Sequence, residues 1–95
     1  MDITGNPLII LASDVVGVAV IVWPGNIHIW EISFSEYSSA SNSCELIRTN
    51  GKELWFGQGA ADLETVRSGH LGNVNGIKIP ANGITGGVVR IYHKS

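Results

Sequence analysis

The apolar residues of this chain come in short β-branched segments, and this pattern limits its fold more than any other feature. The longest segment, 15–23, has nine residues and is interrupted by one glycine, Gly17. Ile and Val together number 21, whereas Ala and Leu together number 12. Because β-branched side chains favour strands while Ala and Leu favour helices, this balance indicates a β protein. No segment of ten residues has the periodicity of an amphipathic helix.

Turn residues separate the strand-like segments at close spacing. Pro24-Gly25-Asn26 predicts a turn, and from Trp30 onward a period of two places Trp30, Ile32 and Phe34 on one buried face. The predicted strands are 8–11, 15–23, 27–37, 44–49, 52–56, 76–80 and 88–94, with 62–66 as a strand or an extended loop. We therefore expect an all-β fold, a compact antiparallel β-sandwich or a barrel-like jelly roll of seven or eight short strands.

Asn50-Gly51 lies between two alternating segments, 44–49 and 52–56. Asn-Gly is the favoured pair for a two-residue type I′ turn, since both residues accept positive φ. We therefore predict a β-hairpin here. By contrast, 68–75 is rich in Gly and Asn and is predicted to be a connection.

The chain of 95 residues has the length of one domain and shows no linker or internal repeat, so residues 1–95 are expected to form a single domain. The apolar segments within 1–26 are predicted to form a strand pair, or an arm at a subunit interface. Each large apolar side chain that becomes buried contributes about 1.5–3 kcal/mol. Deleting residues 1–23 is therefore expected to give an insoluble or unfolded product.

Composition excludes several classes of partner. The net charge is −2 and the six basic residues do not cluster, which argues against a nucleic-acid groove. The apolar segments are shorter than the roughly 20 residues that span a bilayer, so no membrane partner is expected. Residues 1–7 lack Lys and Arg and so do not resemble a secretory signal. We expect synthesis in a cytoplasm.

The sequence offers no catalytic, metal or cofactor motif. The carboxylates are dispersed, and no serine lies in a nucleophile motif or beside an evident base. Gly57-Gln58-Gly59 begins like a dinucleotide loop but follows a hairpin strand instead of opening a helix. The three histidines lack metal-ligand spacing, and the single cysteine, Cys44, is predicted to be a small buried hydrophobe. We therefore expect no enzyme activity, no metal and no cofactor.

The three tryptophans are the remaining candidates for a binding surface. Trp30 is predicted to lie in the core with Ile32 and Phe34. Trp23, beside the predicted turn, and Trp55, between Leu54 and Phe56, are the candidate interface or stacking aromatics.

Over residues 27–93 the order of segments resembles a known group of virion proteins. An alternating aromatic strand (29–34) leads through a Ser-rich loop to the hairpin (44–55), and the segments 74–79 and 86–92 follow. This order is similar to that of small β-sandwich structural proteins encoded beside capsid genes in tailed bacteriophages, which include head decoration and fibre-type proteins.

The resemblance implies a non-enzymatic protein that is made in the host cytoplasm and located in the virion. It would bind the capsid exterior as a decoration protein and stabilise it, with the major capsid protein or other virion subunits as partners and a homo-oligomer, a trimer, as its assembly. The alternative is a carbohydrate-binding β-sandwich, lectin-like or of tail-fibre type, whose exposed tryptophans stack on a glycan. An oligomerisation module of a non-viral assembly would share most of these features.

Overall fold

The computed structural model describes residues 1–94, in which seven strands form one antiparallel sheet. The strands are β1 (Leu8–Leu11), β2 (Val20–Ser35), β3 (Ser43–Ile47), β4 (Glu53–Gln58), β5 (Val66–Arg67), β6 (Gly72–Ile79) and β7 (Val88–Lys94). Within the described part, the one helical segment is a single 3-10 turn, Ala12–Val15, and no helix there is long and apolar enough to cross a bilayer. The predicted all-β, antiparallel fold is confirmed.

Strand β2 organises the sheet, whose order is β1-β7-β2-β6-β3-β4 with β5 also pairing with β2. The N-terminal half of this 16-residue strand pairs with β6 and its C-terminal half with β7. Pairing with β7 begins only at the pair His28–Lys94. Among residues 1–94, therefore, no strand pairs with the other edge of the segment 20–27.

The predicted turn at Pro24-Gly25-Asn26 is wrong, because all three residues lie inside β2. The strand absorbs them through two register shifts against β6, one between Ile21 and Trp23 and one between Trp23 and Asn26. Proline and glycine are tolerated within a strand where such bulges interrupt the ladder. Strand β2 thus joins 20–23 of the predicted strand 15–23 to the strand predicted after the turn. The rest of the prediction 15–23 is wrong, because Val15 ends the 3-10 turn and Gly17, at φ +71°, interrupts the extended backbone before β2 begins at Val20.

The predicted hairpin is confirmed, and its turn type is not. Strands β3 and β4 pair from Ser43–Gln58 to Ile47–Glu53. A type I′ turn needs positive φ at both central residues, but only Gly51 has it, at +90°. The Gly51 N–H donates to the Arg48 carbonyl at 2.9 Å, which makes a three-residue loop with glycine at the left-handed position.

Strand β6 begins inside the segment 68–75 that the sequence predicts to be a connection. Val74 is buried while its neighbours Asn73 and Asn75 are exposed, so this stretch has the alternation of a half-buried strand. Because the exposed residues Asn73 and Asn75 are of a type common in loops, composition alone gives no sign of the strand. Strand β7, by contrast, has the predicted bounds. Strand β5 shares only Val66 with the segment 62–66, whose other residues form a loop, which is the second of the two predicted forms.

One hydrophobic core holds the sheet together and includes the N-terminal segment. Leu8 and Ile10 of β1 and Val15 of the 3-10 turn are fully buried. They belong to the same cluster as Phe34 of β2 and Ile91 of β7. At about 1.5–3 kcal/mol for each large side chain, these N-terminal residues contribute substantially to the stability of the domain.

Candidate functional site

Trp30 lies on the surface because β2 contains a bulge at that point. The register against β7 changes from Ile29–His93 to Glu31–Tyr92, so Trp30 and Glu31 together oppose Tyr92. An extra residue reverses which side chains face the core. Trp30 is consequently 51% exposed, and its predicted place in the core is wrong.

Two histidines surround the exposed indole. The rings of Trp30 and His70 are stacked at a centroid distance of 4.9 Å and an interplanar angle of 27°. His28 approaches Trp30 edge-on at 5.3 Å and lies 4.9 Å from the ring of His70. We call His28, Trp30 and His70 the aromatic–imidazole cluster.

Hydrogen bonds orient both imidazole rings. The Nε2 atoms of His28 and His70 are 2.8 Å apart, and Nδ1 of His28 is 3.0 Å from Oδ1 of Asn73. An amide oxygen only accepts, so the proton on a neutral His28 lies on Nδ1 and its Nε2 carries a lone pair. His70 then donates from its own Nε2 to this lone pair.

The fold brings these residues together across more than forty positions of sequence. His28 and Trp30 come from β2, and Asn73 of β6 is the direct register partner of His28. His70 comes from the connection before β6, which follows the edge of β2. Backbone N–H groups of that connection, those of Ser68 and Leu71, donate to carbonyls of β2 at 2.9 and 3.2 Å.

The cluster is an open surface with two kinds of binding group. Half of the indole is available for stacking, and the imidazole nitrogens are potential metal ligands. Glu31, which follows Trp30 in β2, forms an exposed ion pair with Arg67 of β5 at 2.7 Å. Residues 1–94 enclose no pocket and contain no group of three or more His, Cys, Asp or Glu side chains placed to share a metal ion.

The two tryptophans singled out from the sequence lie elsewhere and are both half-buried. The ring of Trp23 is 5.5 Å from that of His93, and its Nε1 donates to the Asn26 carbonyl at 3.2 Å. Trp55 packs against the core over Gly57, where a Cβ would lie 2.7 Å from the indole. Neither belongs to the aromatic–imidazole cluster.

One sequence signal could have revealed the exposed tryptophan. With Trp30 omitted, the segment 27–34 alternates between apolar and polar residues without a break. Ile27 and Ile29 on one side of it, and Ile32 and Phe34 on the other, are all buried. The single out-of-phase residue therefore marks the bulge.

A second surface feature lies at the N-terminal end of β2. Val16, Val18 and Ile21 are 70%, 54% and 56% exposed, although they occur within six residues of chain. Val16 and Val18 lie just before β2, and Ile21 is its second residue. This is the part of β2 that has no strand partner on its second edge among residues 1–94. We call these three residues the N-terminal apolar surface.

Cys44 offers neither a nucleophile nor a ligand in the folded protein. Its side chain is fully buried, and burial raises the pKa of the thiol to about 12. A thiol that stays protonated is a poor nucleophile and a poor metal ligand. This agrees with its predicted role as a small buried hydrophobe.

A scan against protein-family models, a search of curated proteins and a search of solved structures each gave no match to this chain.

Proposed function

We propose that this chain is a non-enzymatic structural protein of a tailed-phage virion, which binds the capsid exterior as a decoration protein and assembles with copies of itself as a trimer. The observation that carries the proposal is the N-terminal apolar surface beside the unpaired edge of β2. The order of strand segments over residues 27–93, similar to that of phage virion proteins, supplies the biological setting.

Exposed apolar side chains beside an open strand edge favour association with another protein. Burying apolar surface favours association, and an unpaired edge offers hydrogen bonds to a further strand. Within residues 1–94, β4 is an outer strand that pairs with β3 alone, and its Phe56 is also exposed.

A second copy of this chain can supply the missing strand. Pairing the free edge of β2 in one subunit with β4 of the next would be a head-to-tail contact, and such contacts close into a ring when the rotation between subunits permits it. The proposed trimer is a ring of this kind. Its exposed outer faces would be left to contact the capsid.

Absolute mass in solution tests the self-association. Light scattering coupled to size exclusion should give three times 10.1 kDa for the wild-type chain. Val18→Glu and Ile21→Glu should give monomers, because each places a charge in the interface. In Ile21→Glu the new carboxylate would lie opposite Lys78, the cross-strand partner of residue 21. This pair of opposite charges should let the subunit keep its fold.

Leu63→Glu is the matched control, because Leu63 is exposed and apolar but lies in the loop before β5. It should leave the trimer intact. A wild-type chain that is monomeric at high concentration would contradict the self-association. Co-sedimentation with capsids assembled from the major capsid protein of the same genome then tests the capsid contact, and a trimer that remains in the supernatant would contradict that part.

A glycan-binding module is the second candidate function, and the exposed Trp30 favours it. Aromatic rings stack on the apolar face of a sugar, while flanking polar groups bind its hydroxyls. Trp30 has polar neighbours of this kind in His28 and His70, and Asn73 is hydrogen-bonded to His28.

Tryptophan fluorescence with a glycan panel tests this candidate. A bound glycan should change the emission of the wild-type chain, and Trp30→Ala should abolish the response. Trp55→Phe, which changes a half-buried tryptophan outside the cluster, is the control and should keep it. A response that persists in Trp30→Ala would exclude the cluster as the glycan site.

A further inference from the structure

We propose that His28 and His70 form a surface site for a divalent transition-metal ion, with Asn73 as the group that orients the first of these ligands. The proposal goes beyond the function proposed above and does not depend on self-association. It stands on the distance between two ring nitrogens and on the hydrogen bond behind one of them.

The separation of the two Nε2 atoms matches that of two ligands on one ion. Metal–imidazole bonds are about 2.0–2.1 Å long, so two nitrogens lie about 2.9 Å apart at a right angle and about 3.3 Å apart in a tetrahedron. The observed separation is 2.8 Å. The nitrogen separation therefore suits a right-angle pair of ligands, but in the metal-free hydrogen bond the rings point nearly at each other, with centroids 4.9 Å apart, so both must tilt for their lone pairs to converge on one ion. A tetrahedral ion also requires the two nitrogens to move apart by about half an ångström.

His28 has the supporting hydrogen bond that metal-ligating histidines use. Such residues donate their second ring N–H to an oxygen, which fixes the tautomer and the direction of the ring. Nδ1 of His28 is 3.0 Å from Oδ1 of Asn73, which leaves the lone pair of Nε2 for a metal ion. Asn73 is held opposite His28 by the β2–β6 ladder.

His70 becomes a ligand by a change of tautomer. In the metal-free hydrogen bond its Nε2 carries the proton, so binding requires that proton to leave Nε2 and the other ring nitrogen to take one up from water. His70 is exposed, so water can exchange both protons. Charge and atoms balance, since each imidazole is neutral before and after binding.

Imidazole pairs at the protein surface favour the later ions of the first transition series. Affinity rises from Co²⁺ through Ni²⁺ to Cu²⁺. Ni²⁺ and Cu²⁺ also prefer ligands at right angles, for which the nitrogen separation is close to the 2.8 Å observed. With two protein ligands, water fills the other positions of the ion. The site therefore takes Ni²⁺ or Cu²⁺ more tightly than Zn²⁺.

Trp30 provides a built-in reporter. Its ring is stacked 4.9 Å from that of His70, so a paramagnetic ion on Nε2 of His70 would quench the indole emission. Titration of the full chain, prepared without a polyhistidine tag, with NiCl₂ should give saturable quenching and a matching one-to-one calorimetric isotherm. ZnCl₂ should give the same stoichiometry with weaker affinity.

Variants of the cluster separate this site from any other. His28→Gln and His70→Gln should each weaken Ni²⁺ binding more than 100-fold, and Asn73→Ala should weaken it about 10–100-fold, as loss of an orienting partner does. Asn75→Ala is the matched control, because Asn75 is an exposed asparagine two residues further along β6. It should bind Ni²⁺ like the wild type.

Unchanged Ni²⁺ affinity in His70→Gln would overturn the proposal, as would equal losses in the Asn73 and Asn75 variants. Absence of saturable binding by the wild-type chain would overturn it as well. Val18→Glu, which tests self-association, should keep the wild-type Ni²⁺ affinity, so failure of one proposal is distinguishable from failure of the other.

Discussion

The side-chain amide of Asn6 pairs with the backbone of His93 as if it were another residue of the sheet. Its Oδ1 accepts from the His93 N–H at 3.1 Å, and its Nδ2 donates to the His93 carbonyl. The pair continues the register of β1 against β7, in which Leu8 lies opposite Ile91. The segment before β1 is therefore anchored to the end of β7 beside Trp23.

Asn6→Ala should destabilise the fold, because it leaves both backbone groups of His93 without their partner. The expected loss in the free energy of unfolding is about 1–3 kcal/mol. Urea denaturation checks it. Thr4→Ala, which removes a local exposed hydrogen bond to Asp2 at 2.8 Å, is the control and should change stability by less than about 0.5 kcal/mol. Equal effects of the two variants would refute the anchoring role of Asn6.

Tyr37→Phe should loosen the loop that connects β4 to β5. The Tyr37 hydroxyl accepts from the Ala60 N–H at 2.8 Å and donates to the Glu64 carbonyl, so its removal leaves two backbone groups unpaired. We expect a loss of about 1–3 kcal/mol in stability and faster amide exchange at Ala60.

Tyr92→Phe is the control for this change, because the Tyr92 hydroxyl makes no hydrogen bond among residues 1–94. It should leave stability and exchange near the wild-type values. Slow exchange at Ala60 in the Tyr37 variant would show that the loop is held by other contacts.

Gly87→Ala should be far more damaging than an alanine at another left-handed glycine. Gly87 has φ +85°, and a Cβ there would lie 2.6 Å from the Ser35 carbonyl oxygen. Gly69 has φ +74° with open space around it, so Gly69→Ala carries only the backbone strain. Thermal unfolding should show that Gly87→Ala lowers the free energy of unfolding by about 1–3 kcal/mol more than Gly69→Ala does. Similar melting temperatures for the two variants would contradict the predicted clash.

Cys44 should resist alkylation in the folded protein and react once the chain unfolds. Burial raises the pKa of its thiol to about 12 from 9.0, so the thiolate is scarce at neutral pH and the sulfur is inaccessible. Iodoacetamide labelling with and without urea, followed by mass spectrometry, checks this. Rapid labelling without urea would mean that Cys44 is open to solvent.

The same shift predicts how stability depends on pH. Between pH 9 and 12 the unfolded chain loses the Cys44 proton while the folded chain keeps it, so the free energy of unfolding falls as pH rises through this range. Cys44→Ala should show a shallower decline than the wild type, because its other titrating groups are the same. Parallel slopes from pH 9 to 10.5 would contradict the assignment.

Local chemistry in the sequence was sufficient for the fold class, the β3–β4 hairpin and strand β7. In each case the pattern is confined to a few residues: β-branched segments, a turn pair, or the placement of Val89 and Ile91 on the face opposite to Arg90 and Tyr92. These preferences act between near neighbours, and the sheet only reinforces them.

Positions at which the ladder absorbs an extra residue could not be predicted in this way. Pro24-Gly25 has turn chemistry, yet pairing with β6 holds it within a strand. Trp30 has core chemistry, yet one bulge against β7 turns it outward. A bulge depends on the register of two strands, which no single segment encodes.

The sequence by itself therefore determined that this chain has an antiparallel β fold, with a buried Cys44 and an apolar strand at Leu8–Leu11. Only the tertiary structure decided that Trp30 is exposed and that His70 lies 2.8 Å from His28, nitrogen to nitrogen. The reason is physical: strand propensity is a property of neighbouring residues, whereas the meeting of side chains 42 positions apart depends on long-range register and on how bulges shift it.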